Sequence, residues 1–113
     1  MTPTTSIDPP ITLRNLRATL LAACMMQMEG YYSTKSLAFR NCNPGNIENP
    51  DGTMRKWGDP LGGYSALVRD IQVNEGKPLN VFIAKYAPPN ENNTSLYLEV
   101  VSTLSGIGKD ELL

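Results

Sequence analysis

The sequence predicts a single α+β domain that is mainly helical and contains a small β-hairpin. Four segments carry apolar residues at the three- and four-residue spacing of an amphipathic helix. The stretch between the first and the second of them is dense in Gly, Pro and Asn, which is typical of turns. A chain of 113 residues can bury one core. Residues 1–10 hold three prolines without apolar periodicity, so we predict a flexible arm before a domain at 11–113.

The first helix is predicted over residues 12–29, with Thr12 as its N-cap. Gly30 is a natural stop for this helix. Its predicted buried stripe consists of apolar residues three or four positions apart: Leu13, Leu16, Leu20, Cys24 and Met28, widened by Leu21 and Met25.

Turn signals dominate the next thirty residues. Asn43-Pro44-Gly45-Asn46 predicts one turn. Asn49-Pro50-Asp51-Gly52 predicts the tip of a hairpin between short strands at 46–48 and 53–57. This hairpin is the β part of the predicted fold.

Three further helices are predicted, at about 64–76, 79–86 and 95–104. Pro88-Pro89 separates the last two, Asn93 or Thr94 caps the last, and Gly106 closes it. The apolar residues of the last helix are Leu96, Leu98, Val100, Val101 and Leu104.

Composition narrows the possible chemistry. Ten Lys and Arg face eleven Asp and Glu, so we expect no general attraction to nucleic acid. The chain has no His, which excludes Ser-His-Asp catalysis and His-ligated metals. Cys24 and Cys42 are too few for a zinc site of their own, and either free thiols or one disulfide would fit. We therefore predict no cofactor and no metal.

Targeting signals are weak in this sequence. No stretch has the apolar length that a membrane span needs. Leu21-Ala22-Ala23-Cys24 has the form of a lipoprotein cleavage box, but the uncharged run before the cysteine is only Ala18–Ala23, short for an export signal. We predict neither an export signal nor a membrane span.

Glu29 is the first candidate for chemistry, because it ends an apolar helix just before a glycine. Apolar surroundings and the partial negative charge of a helix C-terminus both favour the protonated form of a carboxyl group. A protonated carboxyl is the general acid that cleavage of a glycosidic bond requires. The alternative interpretation is a solvated glutamate at a helix end.

The second candidate is the asparagine-rich run Asn41–Ile47. Asparagine side chains offer both donors and acceptors, which suit sugar hydroxyls and acetamido groups. Alternatively, the Asn, Pro and Gly of this run serve only to form a turn.

Taken together, these features resemble a phage-associated, lysozyme-like family related to lytic transglycosylases. The resemblance rests on a Glu-Gly pair at a helix end, followed by a run similar to the family's Arg-x-Asn-Asn-Pro-Gly-Asn-Ile signature, in which Cys42 stands where the family usually has the first asparagine. It continues in two downstream motifs, and the match spans about 25–108 in the right order. The segments that carry it are Met28-Glu29-Gly30, Ser36–Ile47, Gly62–Ile71 and Tyr86–Thr94.

The resemblance implies a lysozyme-like fold and cleavage of the β-1,4 bond between N-acetylmuramic acid and N-acetylglucosamine in peptidoglycan. It places the catalytic acid on Glu29, and it implies that Tyr86 and the Asn43–Asn46 turn line the sugar cleft. Tyr and Trp rings stack on sugars, so three more aromatic residues are candidates for substrate binding: Tyr32, Tyr64 and Trp57.

The mechanism depends on a second carboxylate. A hydrolase uses two, and the candidates are Glu48, Asp51 and Asp59, each of which also fits an ordinary turn or surface position. A lytic transglycosylase needs only Glu29, since the 6-hydroxyl of the substrate closes an anhydro ring. Both mechanisms stay open, with a slight preference for the single glutamate.

The predicted protein is therefore a monomeric muralytic enzyme, such as a phage endolysin. It would reach the bacterial cell wall during phage lysis or as part of a phage particle. The alternatives are a catalytically silent virion structural protein and a glycan-binding protein of the same fold.

Overall fold

The computed structural model describes residues 13–113, and side chains from residue 15 onward. The predicted arm at 1–10 and the Thr12 cap lie outside the described residues. The described part forms a mainly helical globule of five helices: α1 Leu13–Met28, α2 Leu37–Arg40, α3 Pro60–Val73, α4 Leu79–Tyr86 and α5 Thr94–Ser105.

Helix α1 packs against both α3 and α5, and α4 packs against α5. The core between them contains fully buried large side chains from all four helices, among them Leu21, Leu67, Ile83 and Val101. Burying these apolar surfaces is the main favourable contribution to folding. The arrangement brings the C-terminal end of α1 close to α5.

The predicted buried stripe of α1 is wrong in part. Leu16 and Leu20 are 53% and 43% exposed, whereas Ala18, Leu21 and Ala22 are buried. The small side chains of Ala18 and Ala22 belong to the face that meets the neighbouring helices, and a pattern that counts mainly leucines misses them. In α5, Leu96 and Leu104 are likewise exposed, whereas Val101 is buried as predicted.

The helix boundaries follow local capping chemistry. Helix α3 begins four residues earlier than predicted, because Asp59 Oδ1 accepts a hydrogen bond from Gly62 N at 3.1 Å and Pro60 occupies the first turn. Helix α4 has the predicted bounds. Asn93 caps α5, as expected, and Gly106 ends it in a left-handed conformation.

The predicted hairpin forms only as a tight reversal. Asn49 N donates to Thr53 O at 2.7 Å, and Glu48 and Met54 form an isolated antiparallel bridge. The strands predicted at 46–48 and 53–57 are absent, and the structure contains no β-strand within 13–113. Two short segments with little apolar surface and no third strand beside them have too little to hold a sheet together.

The structure also bears on the predictions for the two cysteines and for a membrane span. Cys24 and Cys42 are both free thiols. None of the helices within 13–113 combines the length and the apolar character needed to cross a membrane.

Candidate functional site

The carboxyl group of Glu29 is held at both oxygens. Asn46 Nδ2 donates to Oε1 at 3.0 Å, and the Tyr97 hydroxyl donates to Oε2 at 2.8 Å. Glu29 directly follows α1, and its amide still donates to Met25 O at 2.9 Å, so its backbone continues the helix. Gly30 then turns the chain away with a φ of +78°. The carboxyl group therefore has a fixed position and orientation.

Asn46 reaches Glu29 from the turn at residues 43–46. Its backbone is left-handed, with a φ of +49°, a conformation that asparagine tolerates better than most residues. Its Nδ2 also donates to the backbone carbonyl of Glu29 at 3.2 Å, one of the acceptors left free at the end of a helix. Asn46 Oδ1 is buried and has no hydrogen-bond partner among the described residues. The side chain is thus committed to Glu29 through its amino group.

Asn43 has a different position from the predicted one. It is completely buried, and its side chain closes the turn: Nδ2 donates to Ile47 O and to Arg55 O at 2.9 Å each, and Oδ1 accepts from Ile47 N at 2.9 Å. All its polar atoms are occupied by backbone partners. The buried side chain of Asn43 therefore stabilises the turn and is not exposed to a ligand.

Close packing fixes this turn against α3. A Cβ atom at Gly63 would lie 2.0 Å from the carbonyl oxygen of Cys42, so only glycine allows the helix to approach this closely. Cys42 itself has a φ of +51°. The glycine pair that starts the third sequence motif thus positions the turn that carries Asn46.

The spacing of Tyr97 in α5 predicts core packing, and no sequence feature related this residue to Glu29. It is 4% exposed, as that prediction requires, but its hydroxyl faces Glu29. Burial, and then the negative charge of Glu29, raise the pKa of the Tyr97 hydroxyl far above its usual range. The hydroxyl therefore stays protonated and acts as a donor to the carboxylate.

Glu29 lies in the wall of a cleft of about 490 Å³. The first wall comes from the end of α1, α2 and the turn, and the opposite wall comes from α3, α4 and the segment after α4. The residues that line it are Glu29, Leu37, Gly45–Glu48, Met54, Asp70, Asn74, Phe82, Lys85, Tyr86, Pro88, Glu91 and Asn92. Both charged and apolar groups are available to a ligand here.

Tyr86 joins the two walls of the cleft. Its hydroxyl donates to the carbonyl of Gly45, and a Cβ atom at Gly45 would lie 2.5 Å from that hydroxyl oxygen. Burial, followed by the charges of Glu29 and Asp70, raises the pKa of Tyr86. Tyr86 thus lines the cleft, and its hydroxyl binds the turn.

The other three aromatic candidates lie outside the cleft lining. Tyr32 is 59% exposed, with its ring edge against Tyr31 at 5.8 Å between centroids. Tyr64 borders a separate surface depression beside α1. Trp57 stacks under the guanidinium of Arg55 at 4.6 Å and approaches Gly62 of α3. The structure does not bring these rings together with Glu29.

The three candidates for a second carboxylate have different surroundings. Asp51 accepts bonds from Thr53 N at 2.9 Å and Thr53 Oγ1 at 2.6 Å, and these bonds lower its pKa. Asp59 caps α3. Glu48 is exposed and lines the cleft. Of the three, only Glu48 shares the cleft with Glu29.

Sequence reasoning missed several polar residues of the opposite wall. Asp70 and Lys85 lie on α3 and α4 next to core positions of the same helices, and Asn74 is the C-cap of α3. Their spacing shows only that they lie on the polar side of amphipathic helices, and the cleft appears only when the helices pack. Within 13–113, no group of three or more Cys, Asp or Glu side chains is arranged to bind a metal ion.

Comparisons with protein-family models, with curated proteins and with solved structures found no match to this chain.

Proposed function

We propose that this protein cleaves the glycan strand of peptidoglycan at the β-1,4 bond between N-acetylmuramic acid and N-acetylglucosamine. Glu29 is the catalytic acid in this proposal, and the domain is a lysozyme-like member of the phage-associated family whose motifs it resembles. The mechanism is that of a lytic transglycosylase with a single glutamate or that of a lysozyme.

One observation carries the proposal. A glutamate at the end of a helix lies in the wall of an open cleft, with each carboxyl oxygen fixed by a donor from a different part of the fold. The exposed Glu99 and Glu111 also have both oxygens engaged, but each takes one of its donors from within four residues along the chain. Fixing a reacting group before substrate binds is an efficient source of catalysis. Glu29 and Asn46, which are bonded here, belong to the first two of the four segments that carry the resemblance.

The first chemical step follows from this arrangement. Protonated Glu29 gives its proton to the glycosidic oxygen as the bond from that oxygen to C1 of the muramic residue breaks. The leaving sugar departs with a new hydroxyl, and positive charge develops at C1 and the ring oxygen. Asn46 and Tyr97 then stabilise the carboxylate that remains on Glu29, because both are donors.

The second step decides the reaction class. In the transglycosylase reaction, the 6-hydroxyl of the same muramic residue attacks C1, and Glu29 takes its proton, which leaves a 1,6-anhydro sugar. In the hydrolase reaction, a water attacks C1, a carboxylate takes the proton that the water loses, and a reducing sugar remains. Glu48 is then the candidate for the second carboxylate, because it lines the cleft while Asp51 and Asp59 are engaged in local structure.

Mass spectrometry of purified peptidoglycan after digestion tests the proposal. Wild type is compared with Glu29→Gln, which keeps the side-chain shape, and with Glu99→Gln as a matched control. Glu99 is an exposed residue of α5 that pairs with Lys109 at 2.5 Å. We expect Glu29→Gln to lose at least about 100-fold in rate, the usual contribution of a general acid, and Glu99→Gln to keep wild-type activity.

The products separate the alternatives. Anhydromuropeptides assign a lytic transglycosylase, and reducing ends assign a hydrolase and direct attention to Glu48→Gln. Glycan binding without products favours a binding protein, and neither binding nor products favours a structural protein of the virion. Wild-type activity in Glu29→Gln would refute the role of Glu29.

A further inference from the structure

Asp70 is a carboxylate of the cleft whose charge no local partner neutralises at short range. It lies on α3, is half-buried, and lines the same cleft as Glu29. Its backbone carbonyl accepts a bond from Asn74 Nδ2 at 2.7 Å. Its carboxylate has neither a hydrogen bond nor an ion pair with any residue in 13–113. Because Asp70 lines an open cleft, its carboxylate faces solvent or a ligand that occupies the cleft.

Other acids of the fold show the contrast. Asp51 and Asp59 bind turn and helix amides, and Glu99 and Glu111 form ion pairs with Lys109 and Arg17. Only more distant charges act on the carboxylate of Asp70. Burial raises its pKa, and the charges of Lys85 and Lys77 act in the opposite direction without cancelling that effect.

The nearest donors are already committed. Lys77 Nζ donates to Asn74 Oδ1 at 2.9 Å, and the amide group of Asn74 donates to the carbonyl of Asp70. Lys85 is exposed at the cleft and stays outside ion-pair distance of Asp70. The carboxylate of Asp70 thus remains available to a donor that enters the cleft.

Tyr86 relates Asp70 to Glu29. All three side chains line the same cleft, and the charges of both carboxylates add to the effect of burial in raising the pKa of the Tyr86 phenol. Asp70 lies on α3, in the wall opposite the end of α1 that carries Glu29.

We propose that Asp70 is a substrate-binding carboxylate that accepts a hydrogen bond from a nitrogen donor of the glycan substrate, in the cleft that also contains Glu29. This inference rests on the proposed function. The donor is either the N–H of an acetamido group on the sugar chain or the ammonium group of a peptide stem. Both are N–H donors that a carboxylate binds.

The test compares Asp70→Asn with Asp110→Asn, which removes the same charge from an exposed segment outside the cleft. Cleavage is measured on intact peptidoglycan and on glycan strands stripped of their peptides. A charge-assisted hydrogen bond predicts a loss of about 10- to 100-fold in kcat/KM for Asp70→Asn, carried mainly by KM. Asp110→Asn should match wild type.

Two additional measurements separate binding from folding and from turnover. Thermal unfolding at pH 7 should give Asp70→Asn a midpoint equal to or above that of wild type, because the change removes an unpaired charge. Binding of intact peptidoglycan by Glu29→Gln should weaken by a similar factor when Asp70→Asn is added. This binding measurement does not depend on cleavage of the substrate.

The outcomes are distinct. A loss on both substrates assigns the acetamido N–H, and a loss on intact peptidoglycan alone assigns the ammonium group. Weaker binding without any cleavage by wild type would sustain Asp70 as a binding residue and refute the proposed enzyme. The inference is overturned if Asp70→Asn behaves like Asp110→Asn in both arms, or if it lowers kcat with KM unchanged, or if it lowers the unfolding midpoint together with activity.

Discussion

Removing the hydroxyl of Tyr97 isolates one of the two bonds that orient Glu29. Tyr97→Phe deletes the donor that lies 2.8 Å from Glu29 Oε2 and keeps the ring, which is 4% exposed in the core. The bond from Asn46 to Oε1 remains. The carboxyl group is then held at one oxygen and is free to rotate about its last torsion.

The expected size follows from the kind of bond that is lost. A hydrogen bond to a charged group contributes about 1.5–3 kcal/mol, and each 1.4 kcal/mol is a tenfold change. We therefore expect kcat to fall about 10- to 100-fold, while KM stays close to that of wild type because Tyr97 does not line the cleft. Glu29 keeps Asn46 and solvent as partners, so we expect a loss of stability of about 1 kcal/mol, or about 4–8 °C in Tm.

The assay is the rate of release of soluble muropeptides, measured beside thermal unfolding. Tyr64→Phe is the matched control, because Tyr64 is partly buried on α3 but borders a different surface from Glu29. It should retain wild-type kinetics. Wild-type kcat in Tyr97→Phe would refute the idea that this hydroxyl positions the acid, and an equal loss in Tyr64→Phe would attribute the effect to general packing.

The two asparagines of the turn should separate stability from activity. Asn43→Ala removes three hydrogen bonds and leaves Ile47 N and Arg55 O without these partners, while Ile47 O keeps the bond from Arg55 N. It should cost on the order of 2 kcal/mol in unfolding free energy. Asn46→Ala should lower activity more than stability. Denaturant melts and activity assays on both variants check this, and the reverse order would contradict it. The pH dependence of stability should carry the contribution of Asp70. Its pKa in the folded state is raised above its ordinary value of 3.8 by burial, against the opposing charges of Lys85 and Lys77, so this contribution is full below that value and is lost as pH rises through the folded pKa. The stability of Asp70→Asn relative to wild type should therefore increase with pH in that interval, and a constant difference would count against the raised pKa.

Helix boundaries and caps that depend on a few neighbouring residues were predicted well. The bounds of α4, the Asn93 cap, the Gly106 stop and the end of α1 at Gly30 all depend on neighbouring residues. The start of α3 was misplaced because Asp59 was interpreted as a candidate carboxylate and not as a cap. The strands of the hairpin failed because turn residues specify a reversal, whereas a sheet needs apolar partners that this segment lacks.

The candidate site was predicted only where one sequence motif contains the residue. Asn46 stands in the turn motif and does bind Glu29. Asn43 stands in the same motif, but the direction of its side chain follows from the left-handed turn and the approach of Gly63. Tyr97 and Asp70 are ordinary members of amphipathic helices, and their relation to Glu29 depends on how α3 and α5 pack against α1.

Because Tyr97 lies far from Glu29 in the sequence, the complete hydrogen bonding of Glu29 requires a part of the chain that is synthesised much later. Tyr97 follows Glu29 by 68 positions, so a ribosome completes the helix that carries Glu29 long before it has made α5. During synthesis, the nascent chain has a glutamate without one of its two orienting donors. Docking of α5 supplies this second donor and completes the carboxyl environment. After refolding, recovery of activity should therefore not precede the protection of α5 amides from hydrogen exchange.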